Sequence, residues 1–233
     1  MPEMIGFFGS YPADICMYTA YALQNAGKRV CVIDNSDDGI LFSCVPAPDC
    51  QMQTVTFHNV DFIRHKPLVQ WHELDYELVL IQLGSRPQEL CLAVCSMRIL
   101  VVDCERRNME FYQHFLQACG LSAVVLLRGF SLEFAVEKAK RLLECGPGLI
   151  ERWLLLPLDE EDETYRIQMQ YGTMYQFAHI SAGMERVLGK MLRMLDVTDR
   201  VHIAQAVRNA KQGKTADPVC CRRRIENKRF LVS

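Results

Sequence analysis

"IGFFGSYPADICMYTAYALQNAGKRVCVIDNSD", residues 5–37, runs from an apolar segment through a tight loop, Gly9-Ser10-Tyr11-Pro12-Ala13, into a helical stretch and a second apolar segment. A strand, loop, helix and strand in that order aim backbone N–H groups and the positive end of a helix at one point, where a phosphate would sit. An intact phosphate loop adds glycines for close approach, a lysine for the phosphates and a Ser/Thr hydroxyl for Mg²⁺. Of that kit the stretch retains Gly6, Gly9 and Ser10.

The alternation continues. Short apolar runs at 4–9, 29–34, 53–58, 78–83, 98–103, 123–129 and 152–158 read as strands, several apolar on both faces and therefore central. Amphipathic stretches separate them. Residues 13–26 place Ile15, Thr19, Ala22, Leu23 and Ala26 on one stripe, and 109–119 and 131–144 repeat the pattern, the latter with Leu132, Val136, Ala139, Leu142 and Leu143 inward. Residues 181–195 carry Met184, Val187, Leu188, Met191, Leu192 and Leu195 at helical spacing, which reads as core packing. The expected architecture is α/β: a doubly wound, mainly parallel sheet flanked by helices over residues 1–197. Residues 198–233 form a C-terminal helix and tail, with Thr198 or Asp199 as cap and Val201, Ala204 and Val207 as a thin apolar stripe. The acidic run "DEED" with Glu163, residues 159–163, reads as a solvated loop.

With 233 residues, half of them hydrophobic, the chain can bury a large core without a metal or a disulfide staple. A net charge of −2 argues against a globally basic nucleic-acid binder. The tail is the local exception, with Arg222, Arg223, Arg224, Lys228 and Arg229 in a short span. No apolar run is long enough for a transmembrane helix and no signal peptide is legible, so the chain is expected in the cytoplasm. Cys16, Cys31, Cys91, Cys95 and Cys104 sit in apolar patterns as reduced core cysteines do. Neither the cysteines nor the scattered histidines have metal-site spacing, and no metal is expected.

In detail, the order of pieces resembles the ParA/MinD family of deviant-Walker ATPases, which includes the TadZ/CpaE-like proteins of pilus assembly. Gly27-Lys28-Arg29-Val30-Cys31-Val32-Ile33-Asp34 resembles the family's "GKRVLLID"-like strand, and "LDYELVLIQLGS" (74–85) its Walker B strand. "RILVVDCERRNMEFYQHFLQACG", "AVVLLRGF", "LLLPLDEED" and "YGTMYQFAHISAGMERVLGKMLRML" follow the family's order, so the likeness spans roughly residues 4–195. By that alignment the phosphate-loop lysine falls on Pro12, the following threonine on Ala13, and the magnesium-associated aspartate on Gln82.

The resemblance therefore implies a nucleotide site at Gly9, Ser10, Tyr11, Pro12, Ala13, Asp34 and Gln82 that has lost its cation, its metal ligand and its carboxylate. Phosphoryl transfer works by positioning and charge stabilisation, so little remains with which to catalyse it. Asp14, in the first turn of the helix, already satisfies the helix dipole. The expectation is a pseudo-ATPase without cofactor that acts as an interaction or localisation scaffold, a possible homodimer, for a bacterial pilus, secretion or conjugation apparatus. Tyr11 and the Arg222, Arg223, Arg224 cluster are candidate contacts. An ATP-binding switch with an atypical loop, and a DNA-associated partition protein contacting nucleic acid or membrane through the tail, stay open as alternatives.

Overall fold

The computed structural model describes residues 2–46, 52–131, 133–144, 148–171, 176–197 and 199–214. Its elements run β1 (Glu3–Gly9), α1 (Ala13–Asn25), β2 (Val30–Asp34), α2 (Ile40–Ser43), β3 (Thr54–Phe57), β4 (Val60–Arg64), β5 (Leu78–Gln82), α3 (Glu89–Ala93), β6 (Met97–Val102), α4 (Arg106–Cys119), β7 (Ala123–Phe130), α5 (Glu133–Leu143), β8 (Ile150–Pro157), α6 (Glu160–Met169), α7 (Ala182–Met194) and α8 (Arg200–Lys211). The strands form one eight-stranded sheet in the order β3-β4-β2-β5-β1-β6-β7-β8. All pairings are parallel except β3 with β4. The chain leaves β1 toward β2 on one side and crosses to β6 on the other, so the switch point lies at the carboxyl ends of β1, β5 and β6.

Both faces of the sheet are covered. Ile5, Phe7, Val32, Leu80, Val101 and Leu126 pack against α1 and α7 in one cluster. Phe8, Ile33, Ile81, Leu100 and Val125 pack against α4 and α5 in the other. The central strands are apolar on both faces because both faces are buried.

Several sequence expectations need correction. Residues 159–163 do not form a loop: Asp159 caps α6, accepting from the N–H groups of Glu161 and Asp162, and the acidic residues fill the first turn where the helix dipole favours them. Strand β4, which lies between β3 and β2, was not foreseen, because Asp61 and Arg64 interrupt its apolar pattern. The α8 stripe is displaced: Ile203, Ala206, Val207 and Ala210 are buried while Val201 and Ala204 are exposed. Cys104 is exposed, whereas Cys16, Cys31, Cys91 and Cys95 are buried. Asp199 caps α8 through the Val201 N–H, 2.9 Å; Thr198 and Leu132, like the arginine cluster of the tail, lie outside the described residues.

Helix α1 was expected to bury one stripe, yet every residue from Ala13 to Gln24 is buried. The reason is α8, whose Ile203, Ala206, Val207 and Ala210 join the same core and cover α1 from outside. His202 Nε2 also lies 3.1 Å from the Ala26 carbonyl oxygen at the end of α1.

Gly9 ends β1 at φ 117°, and a Cβ there would stand 1.9 Å from the Val101 carbonyl oxygen. That approach lets Ser10 N–H donate to Val101 at 2.7 Å and Gly9 N–H donate to Gly84 at 2.9 Å, which fixes the loop over β5 and β6. Gly120, the left-handed cap of α4 at φ 63°, has open space around the corresponding Cβ position. Gly120→Ala is therefore expected to cost about 1 kcal/mol, from backbone strain alone. Gly9→Ala adds a backbone collision to the strain and should cost more than about 3 kcal/mol. Urea unfolding of the two variants checks the contrast, which equal midpoints would refute.

Candidate functional site

The loop after β1 opens into a cavity of about 240 Å³ at the switch point. Gly9, Ser10, Tyr11, Pro12, Ala13 and Gln82 all line it, so six of the positions singled out from the sequence come together. Asp34 does not line it. That carboxylate is buried at the end of β2, where it accepts from Ser36 Oγ (2.6 Å), Ser36 N–H (3.3 Å) and Phe42 N–H (2.8 Å). Burial raises its pKa against the lowering effect of these bonds. Its work is to hold the turn between β2 and α2.

Pro12 is the N-cap of α1, with no side-chain capping bond. Proline suits that place, since its missing N–H would have no partner inside the helix. Tyr11 precedes it at φ 55°, in the left-handed region, with its side chain 55% exposed as a residue. Ser10 is buried and hydrogen-bonds Tyr112, whose hydroxyl donates to the Ser85 carbonyl at 3.1 Å.

Beneath the loop lies an ion pair that the sequence reading did not anticipate. Arg128, at the carboxyl end of β7, donates to both oxygens of Asp14, Nη1 to Oδ1 at 2.9 Å and Nη2 to Oδ2 at 3.0 Å. Both side chains are almost wholly buried. Arg128 Nη1 also donates to the Tyr11 carbonyl at 3.1 Å, and Nη2 to Glu163 Oε1 at 3.2 Å. Glu163 in turn accepts from Arg166 Nε at 2.8 Å, and the Arg166 guanidinium lies 4.6 Å from the centre of the Tyr11 ring. The circuit is closed: Tyr11 carbonyl, Arg128, Glu163, Arg166, Tyr11 ring. Burial alone would lower the Arg128 pKa, but Asp14 and Glu163 outweigh it and raise it above the ordinary value.

The signal for this was a charged residue ending the apolar run "AVVLL", which a buried strand tolerates only with a partner. One sequence cannot say which of many carboxylates is that partner.

Gln82, 1% exposed, lines the cavity from the end of β5, and its Oε1 has no hydrogen-bond partner among the described residues. An amide there carries no charge with which to hold a metal or its waters. Asp38 brings a carboxylate to the cavity rim and Arg166 a cation, while Arg128 is committed below. Burial pushes the Cys44 thiol at the wall up to about 12, and the Tyr112 phenol, against the lowering effect of Ser10, to about 12. Neither is poised to exchange a proton near neutral pH. No group of three or more metal-ligating side chains occurs among the described residues.

No protein-family model matches the chain, and no curated protein matches it by sequence. Solved structures do. One chain of the MinC:MinD cell division protein complex of Aquifex aeolicus is similar with a TM-score of 0.56 at 12% identity, over 92% of this chain and 98% of that one. The pNOB8 ParA structure, bound to nonspecific DNA, is similar with a TM-score of 0.50 at 11% identity, over 91% of this chain and 99% of that one. At such identities the likeness is one of fold, and it agrees with the strand order, the switch-point cavity and the loop between β1 and α1: this chain has the ParA/MinD-like P-loop NTPase fold.

Proposed function

We propose that this chain is a catalytically inactive ParA/MinD-like protein, a scaffold that presents its surfaces to protein partners in a bacterial assembly such as a pilus, secretion or conjugation apparatus. The observation that carries the reading is the closed circuit through Arg128. In an intact phosphate loop the helix N-terminus and a lysine draw in the anion. Here Asp14 occupies the first helical turn, Arg128 neutralises it from within the fold, and Pro12 and Ala13 offer neither cation nor hydroxyl. Arg128 holds the loop in shape through the Tyr11 carbonyl and Asp14.

Energetics support the same reading. A buried pair gains little over a well-packed apolar pair, because desolvation offsets most of the Coulomb attraction. Breaking it by removing one partner leaves an uncompensated buried charge. Such a pair therefore fixes geometry more than it adds stability. Here the geometry fixed is the left-handed turn at Tyr11 and the start of α1.

The MinD-containing neighbour was solved in a complex with MinC, which lends weight to a role in protein association. No helix among the described residues is long and apolar enough to cross a membrane. Light scattering without nucleotide distinguishes a monomeric from a homodimeric scaffold.

Two outcomes follow. Arg128→Met should lower stability by about 3–5 kcal/mol, and combining it with Asp14→Leu should recover most of that loss; urea unfolding of the single and double variants measures the coupling. Titration calorimetry with Mg-ATP should give no saturable heat, and phosphate release should stay at the buffer rate. Saturable binding in the micromolar range, weakened by Arg166→Ala or Gln82→Ala, would overturn the inactive reading in favour of an ATP-dependent switch.

A further inference from the structure

Helices α7 and α8 form an antiparallel hairpin. Lys211 near the end of α8 reaches back to Glu185 in the first turn of α7 at 2.5 Å, and Gly189 faces Ile203 across the pair. Between them runs a surface groove of about 950 Å³, away from the switch-point cavity. Its walls are cationic. Helix α7 contributes Arg186, Lys190 and Arg193, and α8 contributes Arg200 and Arg208, all of them exposed. Among the described residues these five make no ion pair, Arg186 donating only to the Ala182 carbonyl at 3.2 Å. The carboxylate of Glu185 is already taken by Lys211. In a chain of net charge −2, five unpaired cations along one groove are a local concentration of charge and not a reflection of the average.

The floor is different in kind. It includes Ala182 and Ala204 beside the buried Gly189, Ile203 and Val207. The lining residues recur at spacings of three and four on both helices, Ala182 to Arg193 on one and Arg200 to Lys211 on the other, so each wall extends about 16 Å. A trough of that length between two helices fits a third helix of about three turns.

The geometry points to an acidic amphipathic helix of a partner protein as the occupant, its apolar stripe against the alanine and glycine floor and its carboxylates against the two cationic walls. Helix-in-groove recognition of this kind reads the partner through anchors at helical spacing. The chain's own tail is a poor occupant, because Arg222, Arg223, Arg224, Lys228 and Arg229 carry the same sign as the walls. A nucleic-acid backbone would meet the cations but leaves the apolar floor without a counterpart, whereas the amphipathic helix meets both.

This names a partner class for the scaffold reading and rests on that reading for its biological sense. Its test is run without nucleotide, so ATP binding at the loop would overturn that reading and leave the groove result standing. The probe is a fluorescein-labelled synthetic helical peptide of about fourteen residues, with leucines on one stripe and glutamates on both flanks. Fluorescence anisotropy on the full chain should give saturable binding, none with the same peptide carrying lysine for glutamate, and roughly a tenfold or greater loss with R186E/R193E/R208E protein. Because these three side chains are exposed, the circular dichroism spectrum should not change; should the triple variant fail to fold, Arg193→Gln with Arg208→Gln is read instead. Undiminished binding by the charge variants, no binding of the glutamate peptide, or equal displacement of it by duplex DNA or by phosphatidylglycerol vesicles would overturn the assignment.

Discussion

The Arg128–Asp14 pair is the constraint on which the loop end of this molecule depends. It joins the carboxyl end of β7 to the first turn of α1, and through Glu163 it extends to α6. Remove it, and the Tyr11 carbonyl loses its donor, Asp14 is left charged in the interior, and Glu163 keeps only Arg166. The three elements that converge on the cavity are thus tied by one guanidinium with five donors in a fixed fork. A lysine could not serve every partner in that geometry.

The tie also explains why Pro12 is tolerated at a position where the resemblance would place a lysine. With the cation supplied from β7, the loop needs no charge of its own, and a proline with φ −80° simply starts the helix. The positive end of α1 is answered by Asp14 within the chain, whose Oδ1 also accepts the Ile15 N–H at 2.9 Å. Asp162 performs a parallel task nearby. It accepts from Ser181 N–H at 2.8 Å and Ser181 Oγ at 2.6 Å, and so fastens α6 to the start of α7. Polar groups around the loop are largely satisfied by one another, whereas at the carboxyl ends of β2, β4 and β5 the buried Asn35 Oδ1, Arg64 Nε and Gln82 Oε1 have no hydrogen-bond partner among the described residues.

What the sequence made legible follows from which interactions are local. Central strands announced themselves because burial on both faces leaves continuous apolar runs such as Leu78–Gln82. Strand Val60–Arg64 did not, since its Asp61 is spent outside the core, bonding Thr56 and Tyr76 at 2.5 Å each. Helix α7 was legible because its core stripe is a local signal, while its Ser181 cap emerged only in the structure. The α8 stripe was misread because Val201 looked like a core residue, while contacts with α1, far away in sequence, select Ile203, Ala206 and Ala210 instead. The loop positions were found by their order along the chain. Arg128, Glu163 and Arg166 were missed because their role exists only once β7 and α6 meet α1 in space.

Those long-range contacts bear on how the two ends of the molecule communicate. Helix α1 begins at the tied loop and is roofed along its length: Tyr18 OH donates to Met169 of α6 at 3.0 Å, Thr19 Oγ1 approaches Met191 of α7 at 3.7 Å, and α8 closes the outer side. A switch that moved α7 or α8 in response to nucleotide would be driven through α1, by a change at its N-terminus, or through α6, which lines the cavity with Arg166 and Met169 and is fastened to α7 by Asp162. With Asp14 and the Tyr11 carbonyl held by Arg128, a change at the N-terminus of α1 would first have to break the Arg128–Asp14 pair. Under the proposed scaffold reading, the cationic groove between α7 and α8 needs no signal from the loop to be presented.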